Sequence, residues 1–187
     1  MSIRLSAKRC EEIKNLVTKM YVDYGINCIP VNGFEIAVKM GVKLISYSSR
    51  SYDLRNKLIK QSDDGFCYRD EFGQWYIFYN DARSRCYGRI NNTIMHEIGH
   101  IVLDHSEDSE LAEKEVNFFA KYALTPPILI HKLKLSTAYE VAEIFGVSLQ
   151  AAGYALNYYR KWLCYGGRSY TDYELVMMEQ FNSVLVA

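Results

Sequence analysis

One segment of thirteen residues, T-I-M-H-E-I-G-H-I-V-L-D-H at 93–105, constrains the fold of this chain more than any other feature. The chain has four histidines, and three of them lie in this segment. The remaining residues are mostly apolar, which predicts a helix buried on nearly all sides, with Asn91 or Asn92 capping its start. His96 and His100 are four residues apart and therefore project from one face of that helix.

Two imidazoles placed in this way can bind one zinc ion, and a glutamate directly after the first histidine can reach a metal-bound water without being a ligand. His96 and His100 are therefore candidate metal ligands, and Glu97 is a candidate general base. Gly99 keeps the helix thin and leaves room for another element to approach. A glutamate buried between two histidines is costly unless a metal and water neutralise it, so the segment favours a metal site over ordinary core histidines.

A catalytic zinc site needs a third protein ligand and one open position. His105 follows His100 by five residues, with no glycine between them to bend the chain back, so we expect it to carry charge at the helix end or to contact a ligand. A second amphipathic helix is predicted from about 109 to 123. Glu115 lies on the apolar side of that helix and is the predicted third ligand, whereas Glu113 lies farther round toward solvent and is the alternative.

The rest of the chain predicts a mixed α+β protein. Helices are expected at 7–24 and 34–40, a strand at 42–47, and a hairpin from Gly65 onward; residues 50–62 are ambiguous. The second hairpin strand, Trp75 to Tyr79, can pair with an extended substrate if it lies at the rim of a cleft. We place a domain boundary after the T-P-P sequence, giving a domain at 1–127 and a helical C-terminal region at 128–187.

Composition excludes several classes of function. The 22 basic residues balance 22 acidic residues, so no net charge draws the chain to nucleic acid or to an anionic membrane. The five cysteines form no C-x-x-C pair, which favours free thiols in a reducing compartment. No apolar run is long enough for a membrane span, and the N-terminus lacks the apolar core of a secretory signal. We therefore expect a cytoplasmic protein with no membrane partner.

The histidine segment, followed by E-K-E-V-N-F-F-A-K-Y-A-L-T-P-P at 113–127, resembles the ImmA/IrrE family of zinc metallopeptidases. The resemblance extends upstream through Y-G-I-N-C-I-P-V-N-G-F-E-I-A-V-K-M-G-V-K-L and the hairpin, and covers roughly residues 10 to 160. Valine, lysine, tyrosine and threonine replace small or aliphatic residues of the family's second helix, but none of these changes removes a metal-binding group.

This resemblance implies an α+β, zincin-like metallopeptidase core with a small antiparallel sheet, followed by a helical part that resembles a helix-turn-helix. It implies one zinc ion per chain, bound by His96, His100 and Glu115, with Glu97 as the catalytic base. Sequence alone does not identify the group that stabilises the oxyanion; His131 and one of the tyrosines are candidates.

The resemblance also implies a narrow protein substrate, a helix-turn-helix repressor that is cleaved to relieve repression. The alternative is a regulatory module that retains zinc structurally and binds a repressor or DNA without proteolysis. Residues 138–159 have the outline of a helix-turn-helix. The second helix of this pair offers only Gln150 and Asn157 before a basic pair at its end, so we do not expect DNA binding.

Overall fold

The computed structural model describes residues 4–107, 109–165 and 169–185. The strands are β1 (Lys43–Ser46), β2 (Gly65–Arg69) and β3 (Trp75–Tyr79). The helices are α1 (Ala7–Asp23), α2 (Gly33–Lys39), α3 (Tyr52–Gln61), α4 (Tyr87–Val102), α5 (Glu110–Leu124), α6 (Pro127–Lys132), α7 (Ala138–Phe145), α8 (Leu149–Tyr165), α9 (Asp172–Gln180) and α10 (Asn182–Leu185), with a short 3₁₀ turn at Tyr47–Ser49. The protein is therefore mixed α+β, as predicted.

The three strands form a mixed sheet in the order β1-β3-β2. The hairpin prediction is confirmed, because β2 and β3 pair antiparallel with Cys67 opposite Ile77. The expectation of an antiparallel sheet is wrong, because β1 pairs with β3 in parallel. The chain passes through α3 and β2 before it returns as β3, and this long connection allows the parallel pairing.

The order of the strands also corrects the expected role of Trp75–Tyr79. This segment is the central strand, with β1 hydrogen-bonded along one edge and β2 along the other. Its backbone groups are already paired, so it cannot accept an extended substrate by strand addition. Within the described sheet, that possibility passes to the two outer strands, β1 and β2.

Helix α4 begins earlier than predicted. Its N-cap is Cys86, whose side chain makes no capping hydrogen bond, so the assignment of the cap to Asn91 or Asn92 is wrong. Asn91 lies inside the helix and is buried. Its amide accepts a hydrogen bond from the Gly33 backbone N–H (2.7 Å) and donates one to the Val31 carbonyl (3.0 Å), which fastens the start of α2 to α4.

The C-terminal helices pack on the same apolar core as the helices before them. Fully buried side chains on both sides of residue 127, among them Ile13, Ile98, Phe119, Phe145 and Phe181, belong to one cluster. The predicted turn between α7 and α8 is present: Gly146 has the left-handed φ of 64°, and Ser148 accepts a hydrogen bond from the Ala151 N–H. Helix α8 has 17 residues and extends beyond residue 159, where the predicted helix-turn-helix outline ends. The boundary at residue 127 stays a prediction.

None of the described helices combines the length and the apolar character that crossing a membrane requires. All five cysteines are free thiols, as their spacing predicted.

Candidate metal centre

The two candidate metal-binding helices, α4 and α5, lie in close contact because Gly99 has no side chain. A Cβ atom added there would be 3.1 Å from Phe119 Cδ1 and 3.2 Å from Val116 Cβ. Ile94 and Ile98 anchor the other side of α4 in the core, where both are fully buried. This close packing brings the histidines of α4 against the first turns of α5.

Three possible metal donors meet at this contact. The ligand atoms of His96, His100 and Glu113 all lie within 4.8 Å of one another. The Nε2 atoms of the two histidines are 3.5 and 3.3 Å from the carboxylate oxygens of Glu113. Donors about 2.0–2.1 Å from a tetrahedral zinc ion lie about 3.4 Å apart, so these separations fit that geometry. The side chain of Glu113 is 49% exposed, and the cluster therefore opens toward solvent on that side.

The predicted ligand Glu115 lies outside this cluster. Its carboxylate is buried and accepts two hydrogen bonds from Arg9, from Nε at 2.8 Å and from Nη2 at 2.6 Å. His105 Nε2 lies 3.0 Å from the same carboxylate. The Arg9 guanidinium holds the pKa of Glu115 below its ordinary value. The apolar stripe of α5 correctly indicated that Glu115 is buried, but Glu113, two residues earlier on a different face, is the carboxylate that meets the histidines.

Glu97 occupies a buried position in α4 beside the sheet and is 6% exposed. Its Oε2 accepts a hydrogen bond from the backbone N–H of Cys67 in β2, at 2.9 Å. Burial, together with the Glu97 charge, raises the pKa of Tyr47 to about 12. The Tyr47 hydroxyl donates to the Ser62 carbonyl. The carboxylate of Glu97 is thus oriented by the edge strand.

Asn117 is a site residue that the sequence analysis missed. It hydrogen-bonds the ring of His96, and it also donates to the backbone carbonyl of Glu113 at 2.6 Å. Burial lowers the pKa of His96, an effect that the nearby Glu113 opposes and His100 reinforces. A lower pKa favours the neutral imidazole, which is the form that binds metals. The spacing of four residues between Glu113 and Asn117 puts both on one face of α5, and this was an available signal.

His105 lies over His100 because the chain bends back sharply after α4. Asp104 has a left-handed φ of 52°, a conformation that aspartate tolerates better than most residues, and the His105 N–H donates to the His100 carbonyl. No glycine is needed for this turn. The Nδ1 atoms of the two rings are 3.3 Å apart.

His131, a candidate for stabilising the oxyanion, belongs to another cluster. Its Nδ1 lies 3.0 Å from the Tyr159 hydroxyl, and its ring packs against Trp162 and Tyr170. These contacts join His131 to the C-terminal part of the chain.

A mostly apolar cavity of about 610 Å³ lies between α4, α5 and α8. Its lining includes Asn92, Lys121 and Ala151. Asn92 is one helical turn before His96, and Lys121 is one turn after Asn117. The cavity therefore begins about one helical turn from the donor cluster.

Comparison with known proteins identifies the family. No curated protein matches the chain significantly. The family model of the IrrE N-terminal-like domain (Peptidase_M78) matches residues 51–157, which are 107 of the 187 residues and include both α4 and α5. This match confirms the resemblance drawn from the two helices. The chain belongs to the ImmA/IrrE family of peptidases.

Proposed function

We propose that this protein is a zinc-dependent endopeptidase that cleaves a helix-turn-helix transcriptional repressor. The observation that carries the proposal is the cluster of His96, His100 and Glu113, whose donor atoms lie within 4.8 Å of one another, together with the buried carboxylate of Glu97. Membership of a peptidase family supports the same chemistry.

The donor set fits zinc. Two imidazole nitrogens and one carboxylate are a common set of protein ligands for catalytic zinc, and they leave one coordination position for water or substrate. His96, His100 and Glu113 would hold the ion, and we assign Glu113, not Glu115, as the third ligand. When bound, the ion acidifies a water molecule and polarises the carbonyl of the scissile peptide. The open side at Glu113 gives a substrate access to the ion.

Glu97 moves the proton in this mechanism. It accepts a proton from the attacking water and then delivers it to the departing amine. The hydrogen bond from the Cys67 N–H holds one carboxylate oxygen of Glu97 in place. General acid–base catalysis of this kind contributes about 10²–10⁴-fold in rate.

The substrate would bind as an extended segment along β2. Strand β2 is one of the two outer strands of the described sheet, and it is the one whose residue Cys67 contacts Glu97 directly. Backbone groups alternate in direction along an antiparallel strand, so Arg69 turns its N–H and carbonyl to the same outer edge as Cys67. A peptide paired there would lie beside the proposed base. The identity of the substrate as a repressor rests on the family resemblance.

The test uses a variant that keeps the metal but lacks the base. Glu97→Gln preserves the size of the side chain and should bind zinc as the wild type does. Immobilised Glu97→Gln is incubated with the cytosol of the native host, and the proteins it retains are identified by mass spectrometry. Each captured protein is then incubated with the wild type, with and without a chelator.

A captured repressor that the zinc-loaded wild type cuts, and that Glu97→Gln and the chelated wild type leave intact, would support the proposal. A partner that binds both forms and is cut by neither would favour the alternative of a binding module with structural zinc. A wild-type protein that binds no zinc would contradict both.

A further inference from the structure

Four side chains from three parts of the chain form a continuous polar line that ends at a candidate metal ligand. Arg9 in α1 contacts Glu115 in α5 through two hydrogen bonds of 2.8 and 2.6 Å. Glu115 lies 3.0 Å from His105 Nε2, and His105 Nδ1 lies 3.3 Å from His100 Nδ1. The side chains of Glu115, His105 and His100 are between 8% and 12% exposed. A buried carboxylate thus reaches His100 through a second histidine.

The hydrogen-bonding capacity of each group gives this line a direction. Arginine only donates, and a carboxylate only accepts, so His105 must donate its Nε2–H to Glu115. A neutral imidazole carries one N–H, which leaves His105 Nδ1 as an acceptor. His100 can then donate only through its own Nδ1–H, and its lone pair remains on Nε2. That Nε2 atom is the one that lies 3.3 Å from Glu113.

We propose that Arg9, Glu115 and His105 are positioning residues that hold His100 in the ring orientation and tautomer required to bind the metal through Nε2. This inference rests on the proposed metal site. Metal-binding histidines generally donate their other N–H to a fixed acceptor, and loss of that acceptor typically costs 10–100-fold in metal affinity. Here the acceptor is a histidine, and Glu115 in turn determines which of its nitrogens accepts.

The chain offers a matched control. Glu12 is also paired with Arg9, at 3.1 Å, but its side chain is 45% exposed. It has no part in the line that leads to His100. Glu12→Gln therefore removes a partner of Arg9 without interrupting the contacts of Glu115 and His105.

The experiment measures zinc affinity by competition with a chromophoric chelator for the wild type, His105→Phe, Glu115→Gln, Glu113→Gln and Glu12→Gln. The visible absorption spectrum of each Co²⁺-loaded form reports the ligand field. Circular dichroism and thermal unfolding of the metal-free proteins show which variants fold, and His105→Gln replaces His105→Phe if the latter does not.

We expect His105→Phe and Glu115→Gln to bind zinc about 10–100-fold more weakly than the wild type and to shift the Co²⁺ spectrum, while Glu12→Gln matches the wild type. A folded His105→Phe protein with the zinc affinity and Co²⁺ spectrum of the wild type would overturn the inference. It would not contradict the proposed metal site. The inference would also be overturned if Glu115→Gln failed to bind zinc while Glu113→Gln bound it normally, since Glu115 would then be a ligand. A wild type that binds no zinc would instead refute the proposed function.

Discussion

The two glutamates of α5 should respond differently to the same substitution, in stability and in the size of the loss of zinc affinity, and this follows from their surroundings. Glu113→Gln removes a charge from a side chain that is 49% exposed and contacts His96 and His100. Surface substitutions usually change the free energy of unfolding by no more than about 0.5 kcal/mol. The metal-free variant should therefore be as stable as the wild type. Its zinc affinity should fall by more than the 10–100-fold expected when only a contact to a ligand is lost.

Glu115→Gln should instead lower the free energy of unfolding, and its zinc affinity should fall only by about the 10–100-fold expected for a residue that acts through His105. Its carboxylate is buried and accepts two hydrogen bonds from Arg9 and one from His105, which an amide cannot accept together. Hydrogen bonds to charged groups contribute about 1.5–3 kcal/mol, and breaking a buried ion pair costs about 3–5 kcal/mol. Because Arg9 is about one-third exposed, we take the lower limit of about 3 kcal/mol.

This loss is large enough to measure by calorimetry. In a protein of this size, 1 kcal/mol corresponds to about 2–4 °C in Tm, so the metal-free Glu115→Gln variant should melt about 6–12 °C below the wild type. Zinc affinity is measured on the same samples by chelator competition. If Glu113→Gln melted early and bound zinc normally, and Glu115→Gln were stable without binding it, our assignment of the third ligand would be refuted.

Three further predictions address acid stability, helix packing and substrate binding. The pKa of Glu115 is lowered in the folded state, so the ionised carboxylate should stabilise the fold fully above the unfolded-state pKa near 4.5. This stabilisation should be lost as pH falls through the lower pKa of the folded state. In urea unfolding, the free energies of unfolding of the wild type and Glu115→Gln should therefore converge in acid. Gly99→Val should separate α4 from α5, since even a Cβ would lie 3.1 Å from Phe119. We expect the free energy of unfolding to fall by about 1–3 kcal/mol and zinc binding to weaken. An unchanged Tm and an unchanged zinc affinity would contradict the close packing. Ala151→Trp should fill part of the apolar cavity and raise KM for a cleaved substrate. Asn157→Trp, on the same helix but outside the cavity lining, should leave KM unchanged. Equal KM values for the two variants would show that the substrate does not bind in the cavity.

Residue patterns within short segments were sufficient to predict several helices and the hairpin. Apolar periodicity predicted α1, α2 and α5 to within one residue at each end. The aromatic runs on either side of D-E-F-G predicted the β2–β3 hairpin. The spacing of His96 and His100 placed both imidazoles on one face, and Gly99 indicated the approach of another helix. Each of these inferences depends on residues that are close in sequence.

Features that depend on distant partners were missed or misassigned. The polar segment at 50–62 showed no clear periodicity, yet most of it forms α3 against the 3₁₀ turn. Asn91 resembled a helix cap, but it is a buried link to the start of α2. The parallel pairing of β1 with β3 depends on the path of the whole connection between them.

The two glutamates of α5 show most clearly what could be inferred from the sequence and what required tertiary structure. The sequence determined that a carboxylate of α5 would face two histidines of α4, and that Glu115 would be buried. Which carboxylate meets the histidines was decided by the rotation of α5 against α4 and by Arg9, which is 106 positions from Glu115 and pairs with it. A buried carboxylate must be neutralised, and either a metal ion or a guanidinium can do this. Only the packing of α1 onto α5 settles which of the two is present.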